Sequence, residues 1–557
     1  MCVSWRALWL MGMALTCAQA HADEALSVRI DKLFAAWNRP DSPGAAVLIV
    51  RDGQVLHRRG YGQAQLEHAA PITPDTVFHS ASVSKQFTAF AVHLLAQDGK
   101  LSLDDELRKH VPELQVAGPP ITLRHLLHHT SGLRDQWNLL LLAGLRMDDH
   151  IGEGDIQSLL FQQRALNFMP GDEELYCNSG YTLLALVVQR VSGQRFAAFM
   201  KQRVFDPLGM QHTHVHDDYG TLTPGRASSY NRGREGWRGV ALSYSNVGAT
   251  SVFTTVDDLA LWSRNFDDAR VGGPAVQAAM LQRGRLNSGR EINYASGLVL
   301  ATFRGQPVIE HGGVDAGFRA HVLRLPRQRL TVLLLGNASD INSGQLTRRA
   351  AEAALGDQLP PEAEPTTPTE VALAAKSLQP FVGAFEMRPG FVLTFSADGN
   401  RLAVQATGQP KFPLFASADN QFFLKAVEAS VSFDAPDAEG SVTTATWRQN
   451  GQVLPLHRLT PMATLTADSL QGCTGDYFSD ELRTLYRLDW RDGRLMLRYP
   501  RGERALSPVA PNRFIAPFPF SAVVLQRAAS GGCDALSISN GRVRNLQFQR
   551  VKIVPAS

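Results

Sequence analysis

Residues 78–85 read Phe78-His79-Ser80-Ala81-Ser82-Val83-Ser84-Lys85, and they lead directly into a predicted helix over Gln86–Gln97. Apolar residues in that helix recur at the i, i+3, i+4, i+7 and i+8 spacing of one buried face. Asp98-Gly99 is expected to end the helix, because glycine readily adopts the left-handed cap conformation. Ser82 is therefore predicted near the first turn of a helix that packs into a core.

Ser82 and Lys85 are three residues apart, so a helix places them on the same face. A serine hydroxyl needs a neighbouring base before it can attack a carbonyl group. A lysine can supply that base where burial or nearby positive charge lowers its pKa. Backbone N–H groups at a helix start also suit a developing oxyanion. The alternative is that Ser82 only caps the helix and Lys85 is solvated, so other motifs must decide.

The length and composition indicate a soluble, multidomain protein. A chain of 557 residues is expected to form about two to four domains. Its apolar fraction of 44% and charged fraction of 19% are typical of globular proteins. The net charge of +3, without a Lys/Arg-rich run, argues against nucleic acid as a partner. The oligomeric state is left open.

The N-terminus has the pattern of a secretory signal peptide over residues 1–22. Arg6 precedes an apolar segment, Ala7–Thr16, that is too short to span a bilayer. Small residues predict cleavage after Ala20 or Ala22; the alternative is an uncleaved membrane anchor. No later apolar run reaches membrane-spanning length. A periplasmic or secreted protein without a stable membrane span is therefore expected.

Three cysteines follow the signal peptide, namely Cys177, Cys473 and Cys533. Export permits disulfide formation. Cys473 and Cys533 fall in one predicted domain and can pair there, although the sequence leaves the distance between them open.

Residues 23–356 are predicted to form one α+β domain. The hairpin signal Asp52-Gly53 separates strand-like runs at Ala45–Arg51 and Gln54–Gly60. Helical stretches follow. Strand-like runs then return at Gly297–Phe303, Pro307–Glu310, His321–Leu325 and Leu330–Leu335. Strands at both ends with helices between them predict one antiparallel sheet, flanked by helices and built from the two ends of the domain.

The remaining chain is predicted to contain a linker and two small all-β domains. Residues 357–370 are rich in proline and glutamate, which is typical of a semi-rigid linker. Beyond them, Gly383-Ala384-Phe385 resembles Gly475-Asp476-Tyr477, and later turn segments repeat in the same order. Short strands between Gly/Asp turns predict two β-barrel-like or sandwich domains, at 371–462 and 463–557.

A second motif, Tyr176-Cys177-Asn178, lies just before a predicted helix over Gly180–Val191. A loop at that place can present Tyr176 and Asn178 to a cleft while Cys177 points away. Tyr176 can pass a proton to a leaving group, and Asn178 can hold a substrate carbonyl or the lysine. Alone, Tyr176 is more simply a partly buried aromatic residue.

A third motif, His311-Gly312-Gly313-Val314, follows the strand-like Val308-Ile309-Glu310. Two glycines in a strand indicate close approach by a ligand or by another backbone. The N–H groups of Ser82 and Val314 can then form an oxyanion hole. The simpler alternative is a β-bulge.

The order Ser82-x-x-Lys85, Tyr176-x-Asn178, His311-x-Gly313 resembles the serine β-lactamase and penicillin-binding superfamily. The resemblance is closest to its class C-like branch, serine peptidase family S12, and covers about residues 25–340. Connecting segments are also similar, namely LLHHTSGL at 126–133, DPLGM at 206–210 and TTVDDLA at 254–260. The resemblance implies an antiparallel sheet covered by helices, with an all-helical lobe.

The resemblance also implies roles for the motif residues. Ser82 would be the acylated nucleophile, Lys85 its base and Tyr176 a proton shuttle. Asn178 would contact the substrate and the lysine. The strand His311-Gly312-Gly313 would line the site. No metal ion and no organic cofactor is implied.

One position departs from the common pattern, because many members carry lysine where this chain has His311. Lysine offers a fixed positive charge to a substrate carboxylate, whereas histidine with an ordinary pKa of about 6.5 is mostly neutral at pH 7. Histidine at this position is frequent in the D-amino-acid peptidases and esterases of the family. The D-aminopeptidases also resemble this chain in placing two β-barrel domains after the catalytic domain.

The sequence therefore predicts an exported serine hydrolase that forms an acyl-enzyme on an amide or ester. A D-amino-acid peptide or a small ester is favoured over a β-lactam, and the substrate can be derived from the cell wall. One alternative is a β-lactamase or D,D-carboxypeptidase. Another is a non-catalytic cell-wall sensor or binding protein.

One metal-like pattern, His212-x-His214-x-His216, alternates at strand period and could place three imidazoles on one face. It follows the Pro-Leu-Gly-Met turn, in a connection that varies within the family. No metal site is predicted there.

Overall fold

The computed structural model describes two compact units. It covers residues 24–361, 368–407, 409–437, 440–449, 452–460, 465–529 and 531–551. The first unit comprises residues 24–133, 147–161 and 168–361. The second comprises 134–146, 162–167 and the described residues from 368 onward.

Helices occupy much of the chain before residue 356. They are α1 (24–34), α2 (Ser84–Gln97), α3 (Leu107–His110), α4 (Leu123–Leu127), α5 (Gln136–Ala143), α6 (Glu153–Phe161), α7 (Asn178–Ser192), α8 (Phe196–Met200), α9 (Asp206–Leu208), α10 (Val256–Asp268), α11 (Gly273–Met280) and α12 (Ser343–Leu355). Of these, α5 belongs to the second unit.

The strands of the first unit lie mainly near its two ends in the sequence, as expected. They are β1 (Ala45–Arg51), β2 (Gln54–Tyr61), β3 (Gln63–Gln65), β4 (Ala70–Pro71), β5 (Phe78–His79), β6 (His214–Val215), β7 (Ser229–Gly233), β8 (Gly236–Val240), β9 (Val252–Thr254), β10 (Val299–Phe303), β11 (Gln306–Asp315), β12 (Phe318–Leu325) and β13 (Leu330–Gly336).

A six-stranded antiparallel sheet forms the centre of the first unit, in the order β10-β11-β12-β13-β1-β2. Val47 of β1 lies opposite Leu334 of β13, so strands from the two ends of the unit pair directly. The predicted antiparallel α+β architecture is confirmed.

Both faces of the central strands are covered. Val47 and Ile49 join Phe34 of α1 and Ala350 of α12 in one core. Leu48, which points to the opposite face because side chains alternate along a strand, is also buried, and α10 packs against β1 and β13. The sheet is therefore a rigid support with helices on both sides.

Helix α2 passes through the interior of the unit. Every residue from Ser84 to Leu95 is buried, although the spacing of apolar residues predicts only one buried face. Polar side chains on its other faces form hydrogen bonds. For example, Gln86 Oε1 accepts from Trp262 Nε1 at 2.9 Å. The helix ends at Gln97, and Gly99, two residues later, has a φ of +70°, the expected left-handed conformation.

The second unit contains two closed eight-stranded barrels. The first consists of β14 (Gly383–Arg388), β15 (Phe391–Asp398), β16 (Arg401–Ala406), β17 (Lys411–Ala418), β18 (Gln421–Phe423), β19 (Ala429–Phe433), β20 (Thr444–Gln449) and β21 (Gln452–Arg458). The second consists of β22 (Gly475–Ser479), β23 (Thr484–Arg491), β24 (Arg494–Tyr499), β25 (Gly502–Ala510), β26 (Arg513–Ile515), β27 (Ala522–Arg527), β28 (Cys533–Asn540) and β29 (Val543–Val551).

The internal repeat maps onto these barrels. Phe385 on β14 and Tyr477 on β22 occupy equivalent first strands, and both are fully buried. Cys473 and Cys533 form a disulfide at the start of the second barrel.

The two predicted all-β domains are confirmed by the two closed barrels, whereas the predicted boundaries 23–356, 371–462 and 463–557 stay predictions. Residues 362–367 of the predicted linker and the predicted cleavage sites lie outside the described residues.

In the described part of the chain, every helix is too short or too polar to cross a bilayer.

A buried ion pair holds residues 134–146 to the second barrel within the second unit. Arg134 Nη1 donates to Glu481 Oε2 at 2.6 Å, and the two side chains are 1% and 8% exposed. Burial lowers the pKa of Arg134, and Glu481 opposes that shift. Tyr486 also donates from its hydroxyl to the carbonyl of Leu142, at 2.6 Å. The short segment that contains α5 is therefore part of the barrel's packing.

Replacing Glu481 with alanine is expected to destabilise the second unit by about 3–5 kcal/mol, because it leaves the Arg134 charge buried without its partner. Asp104→Ala breaks the exposed Arg124–Asp104 pair and is expected to cost about 1 kcal/mol or less. Urea unfolding followed by tryptophan fluorescence measures both. Equal, small losses in the two variants would contradict the importance of the buried pair.

Candidate active site

Ser82 lies in a 3₁₀ turn, Ala81–Val83, directly before α2. Ser80 Oγ donates to the carbonyl of Val252 at 2.8 Å, and Ser84 Oγ accepts from the Val252 N–H at 3.0 Å, so the turn is fixed to β9. Ala81 has a φ of +49°, a conformation that costs energy for a residue with a side chain. Ser82 is the partly exposed residue of this otherwise buried turn.

Lys85 is fully buried beside Ser82. Its Nζ donates to Ser82 Oγ at 3.1 Å, to Asn178 Oδ1 at 2.9 Å and to the carbonyl of Ala249 at 2.8 Å. A buried amine needs such acceptors, because burial without hydrogen bonds is costly. These contacts point the amine at the hydroxyl of Ser82, the geometry that a base for this serine requires.

Asn178 is the first residue of α7, so the helix begins two residues before its predicted start at Gly180. The preceding residue, Cys177, donates from its N–H to His129 Nδ1 at 3.1 Å and from Sγ to the Leu133 carbonyl at 3.4 Å. Cys177 is therefore held in the interior, and Asn178 contacts the lysine.

Tyr176 completes this side of the site with its ring. The centroid lies 4.8 Å from Lys85 Nζ, 4.3 Å from the ring of His129 and 6.3 Å from that of His311. The structure thus brings the serine, the lysine and the motif tyrosine together, as the resemblance to the serine β-lactamase superfamily implies.

His311 is buried on β11, and its two ring nitrogens have different partners. Nδ1 lies 2.7 Å from the carbonyl of Gly312, and Nε2 lies 3.0 Å from the hydroxyl of Tyr294. Since a carbonyl only accepts, Nδ1 carries the proton and Nε2 of the neutral ring accepts from Tyr294. Burial, and next the charge of Lys85, lower the pKa of His311 to about 4. His311 is therefore neutral at pH 7 and offers no cation to a substrate carboxylate.

One edge of β11 is open after Glu310. Strand β10 pairs with β11 only as far as Glu310, and the segment beyond it pairs with β12 alone. A side chain at Gly313 would come within 2.3 Å of the Ser80 carbonyl, so only glycine fits against the 3₁₀ turn. Gly312 is exposed, and the Val314 side chain is 68% exposed. The strand edge beside Ser82 is therefore accessible, while an oxyanion hole from the Ser82 and Val314 N–H groups stays a prediction.

Several residues around the site carried no sequence signal. The Ala249 carbonyl and the Tyr294 hydroxyl come from loops outside the three motifs. Tyr181, on α7, has its ring 5.7 Å from Lys85 Nζ. Regular spacing of apolar residues could not identify them, because their contacts join segments far apart in the chain.

Three histidines outside the motifs make contacts that support the fold. His125 accepts the Thr122 N–H in a capping box that starts α4. The rings of His214 and His216 lie 5.7 Å apart and both pack on Phe253. Among the residues that the structure describes, no group of three or more His, Cys, Asp or Glu side chains is arranged to hold a metal ion.

Comparison with known proteins identifies the family of the first unit. The beta-lactamase family matches residues 30–356, and a domain of unknown function, DUF3471, matches residues 367–458. A D-aminopeptidase of Gluconobacter oxydans (strain 621H) is 28% identical over 378 residues, which cover 66% of this chain and 70% of that protein. Penicillin-binding protein 4* of Bacillus subtilis (strain 168) is 26% identical over 426 residues, which cover 72% of this chain and 93% of that protein.

Solved structures share the fold at lower identity. The octameric penicillin-binding protein homologue from Pyrococcus abyssi superposes with a TM-score of 0.54 at 20% identity, covering 86% of this chain and 98% of that one. The D-amino acid amidase from Ochrobactrum anthropi SV3 superposes with a TM-score of 0.52 at 23% identity, covering 61% of this chain and 99% of that one.

Acidification is expected to destabilise the first unit through His311. Its pKa is about 4 in the folded chain and about 6.5 in the unfolded chain. The unfolded chain therefore binds more protons between these values, and stability falls as the pH drops from about 6.5 to about 4. The variant His311→Gln is expected to lose stability less steeply over that range, measured by urea unfolding at successive pH values.

The exposed His68 provides the control, since His68→Gln is expected to keep the wild-type slope. An unchanged slope in His311→Gln would show that His311 does not carry this acid sensitivity.

Proposed function

Because the chain belongs to the beta-lactamase family, we propose that it is an exported serine hydrolase in which an amide or ester substrate acylates Ser82. The observation that carries the proposal is the 3.1 Å hydrogen bond between Lys85 Nζ and Ser82 Oγ. It joins the one partly exposed hydroxyl of the turn to a buried amine, which is the pairing that nucleophilic catalysis needs.

The proposed reaction has two halves. In the first, Lys85 acts as the neutral amine, whose lone pair accepts from Ser82 Oγ across the contact in which the ammonium donates. It takes the hydroxyl proton while Ser82 Oγ forms a bond to the substrate carbonyl carbon. The tetrahedral intermediate then expels the amine or alcohol, which receives a proton through Tyr176. In the second half, water attacks the acyl-serine ester, the acid leaves, and Ser82 regains its proton. Neither half requires a metal ion or an organic cofactor.

Three further groups have proposed binding roles. Asn178, which already accepts from Lys85, holds the lysine and contacts the substrate carbonyl. The strand His311-Gly312-Gly313 lines the cleft. The N–H groups of Ser82 and Val314 stabilise the oxyanion, at about 3 kcal/mol for each donor.

The proposed substrate is a D-amino-acid peptide or a small ester, with β-lactams second. Neutral His311 supports this order, because a β-lactam or a D,D-carboxypeptidase substrate carries a carboxylate that a fixed cation would bind better. The D-aminopeptidase relatives support it as well. Export by the signal sequence at residues 1–22 would deliver the enzyme to substrates derived from the cell wall.

A panel of three chromogenic substrates tests the proposal. We expect turnover of a p-nitrophenyl ester and of a D-amino-acid p-nitroanilide, and at least about tenfold lower kcat/KM for a cephalosporin. Faster turnover of the cephalosporin would indicate a β-lactamase. Tight ligand binding without any turnover would indicate a non-catalytic binding protein.

Ser82→Ala is expected to abolish turnover of the ester and the anilide, with a loss of at least about 1,000-fold, because it removes the proposed attacking oxygen. Ser377→Ala is the control. It removes an exposed hydroxyl that donates to the nearby Ala374 carbonyl and has no part in the Ser82 turn, and it is expected to retain turnover. Undiminished turnover in Ser82→Ala would contradict the proposal that Ser82 is the nucleophile.

A further inference from the structure

A cavity of about 580 Å³ lies beside the β7–β8 hairpin of the first unit. Clefts of roughly 300–1,000 Å³ with a few polar groups are typical of small-molecule sites. The described residues that line this cavity do not include those of the Ser82, Tyr176 and His311 motifs. Its wall consists of residues 219–223, 225–229 and 239–242, with Gln65, Glu67 and Phe318.

Arg226 supplies the positive charge of this wall and is half-buried. Its guanidinium lies over the ring of Phe253, with Cζ 4.8 Å from the ring centroid. Such stacking covers one face of the planar group and leaves the N–H donors at its edge for an acceptor. Burial lowers the pKa of Arg226, and the group that opposes this shift is the phenol of Tyr244 rather than a carboxylate.

Other arginines in the same unit pair with acids. Arg324 donates to Asp267 at 2.5 Å, and Arg348 donates to Glu310 at 2.5 Å and 2.7 Å. In the part of the chain that the structure describes, no side chain or carbonyl accepts a hydrogen bond from the guanidinium of Arg226, and no carboxylate acts on its pKa. A half-buried charge without a counter-charge is costly, and an anionic ligand would compensate it.

The charged and titratable groups near Arg226 do not replace the missing anion. Glu67, which lines the same cavity, accepts from the hydroxyl of Tyr230 at 2.5 Å and is not among the groups that shift the pKa of Arg226. Burial, and in part the charge of Arg226, lower the pKa values of His214 and His216, so both rings are neutral at pH 7. The guanidinium is therefore the charge that a ligand would meet here.

We propose that this cavity binds a small organic carboxylate and that Arg226 recognises the anionic end of the ligand. A planar guanidinium and a planar carboxylate can form two parallel hydrogen bonds. Val240, Leu242 and Phe318 add apolar surface to the wall, which suits a ligand with an apolar body. Binding at this site is separate from acylation of Ser82 and does not depend on it.

Calorimetry with benzoate and benzamide tests the site, because these probes have nearly the same shape and differ in charge. The wild-type protein is expected to bind benzoate roughly 10- to 100-fold more tightly than benzamide, the range for a charged hydrogen bond. Arg226→Gln is expected to remove this preference. Arg226→Lys keeps the charge but lacks the planar fork, and is expected to show a smaller preference than the wild type. Equal binding of the two probes by the wild type, or a full preference in Arg226→Gln, would overturn the inference.

Arg232→Gln is the matched control. Arg232 Cζ also lies 4.8 Å from an aromatic centroid, that of Trp237, but Arg232 is exposed and does not line this cavity. Its replacement is expected to leave the preference for benzoate unchanged. Loss of the preference in Arg232→Gln as well would indicate an effect of net charge alone and would overturn the inference.

Two further titrations define the site and the ligand class. Ser82→Ala is expected to bind benzoate as the wild type does, whereas a lost preference there would place the probe in the Ser82 cleft and contradict a separate site. Inorganic phosphate is expected to bind more weakly than benzoate, because it lacks an apolar body; tighter binding of phosphate would contradict the assignment to organic carboxylates. Benzoate is also expected to raise the melting temperature of the wild type and to leave that of Arg226→Gln unchanged, which checks that the variant is folded.

Discussion

The amine of Lys85 is the group on which the arrangement of the site depends. A lysine that is fully buried must have hydrogen-bond acceptors, and its Nζ finds them in Ser82, Asn178 and the carbonyl of Ala249. These acceptors belong to the 3₁₀ turn, the start of α7 and the segment before β9. Burial of one amine therefore requires three distant parts of the first unit to meet in a single geometry. The rigid sheet and the interior position of α2 make that meeting possible.

Burial and the charge of Lys85 also act on the histidine of the third motif. His311 is neutral because it is buried near Lys85, and its ring is fixed by Tyr294 and by the Gly312 carbonyl.

Much of this organisation could be predicted from local sequence patterns. The hairpin of β1 and β2 and the end of α2 just before Gly99 have signals within a few neighbouring residues. The two-ended sheet follows from strand-like runs at the start and the end of the domain, and the barrels follow from repeated turn segments. The resemblance of the three motifs to a known superfamily implied that Ser82, Lys85 and Tyr176 would meet.

The sequence could not predict contacts that join distant segments without a repeating pattern. Tyr294 reaches His311 from a loop, and Thr250 reaches Asp315 across 65 residues. Residues 134–146, which contain α5, pack in the second unit, since Arg134 pairs with Glu481, 347 residues away. Such pairings depend on tertiary structure, so they cannot be predicted from a window of neighbouring residues.

The central claim is that Ser82 becomes acylated during turnover. Mixing the protein with a D-alanine ester, quenching in acid within milliseconds and mapping the peptides by mass spectrometry tests it directly. The account predicts an added alanyl mass on the peptide that contains Ser82, formed before steady state and absent from Ser82→Ala. Rapid product release with no adduct under any quench time, or an adduct on a different residue, would contradict it.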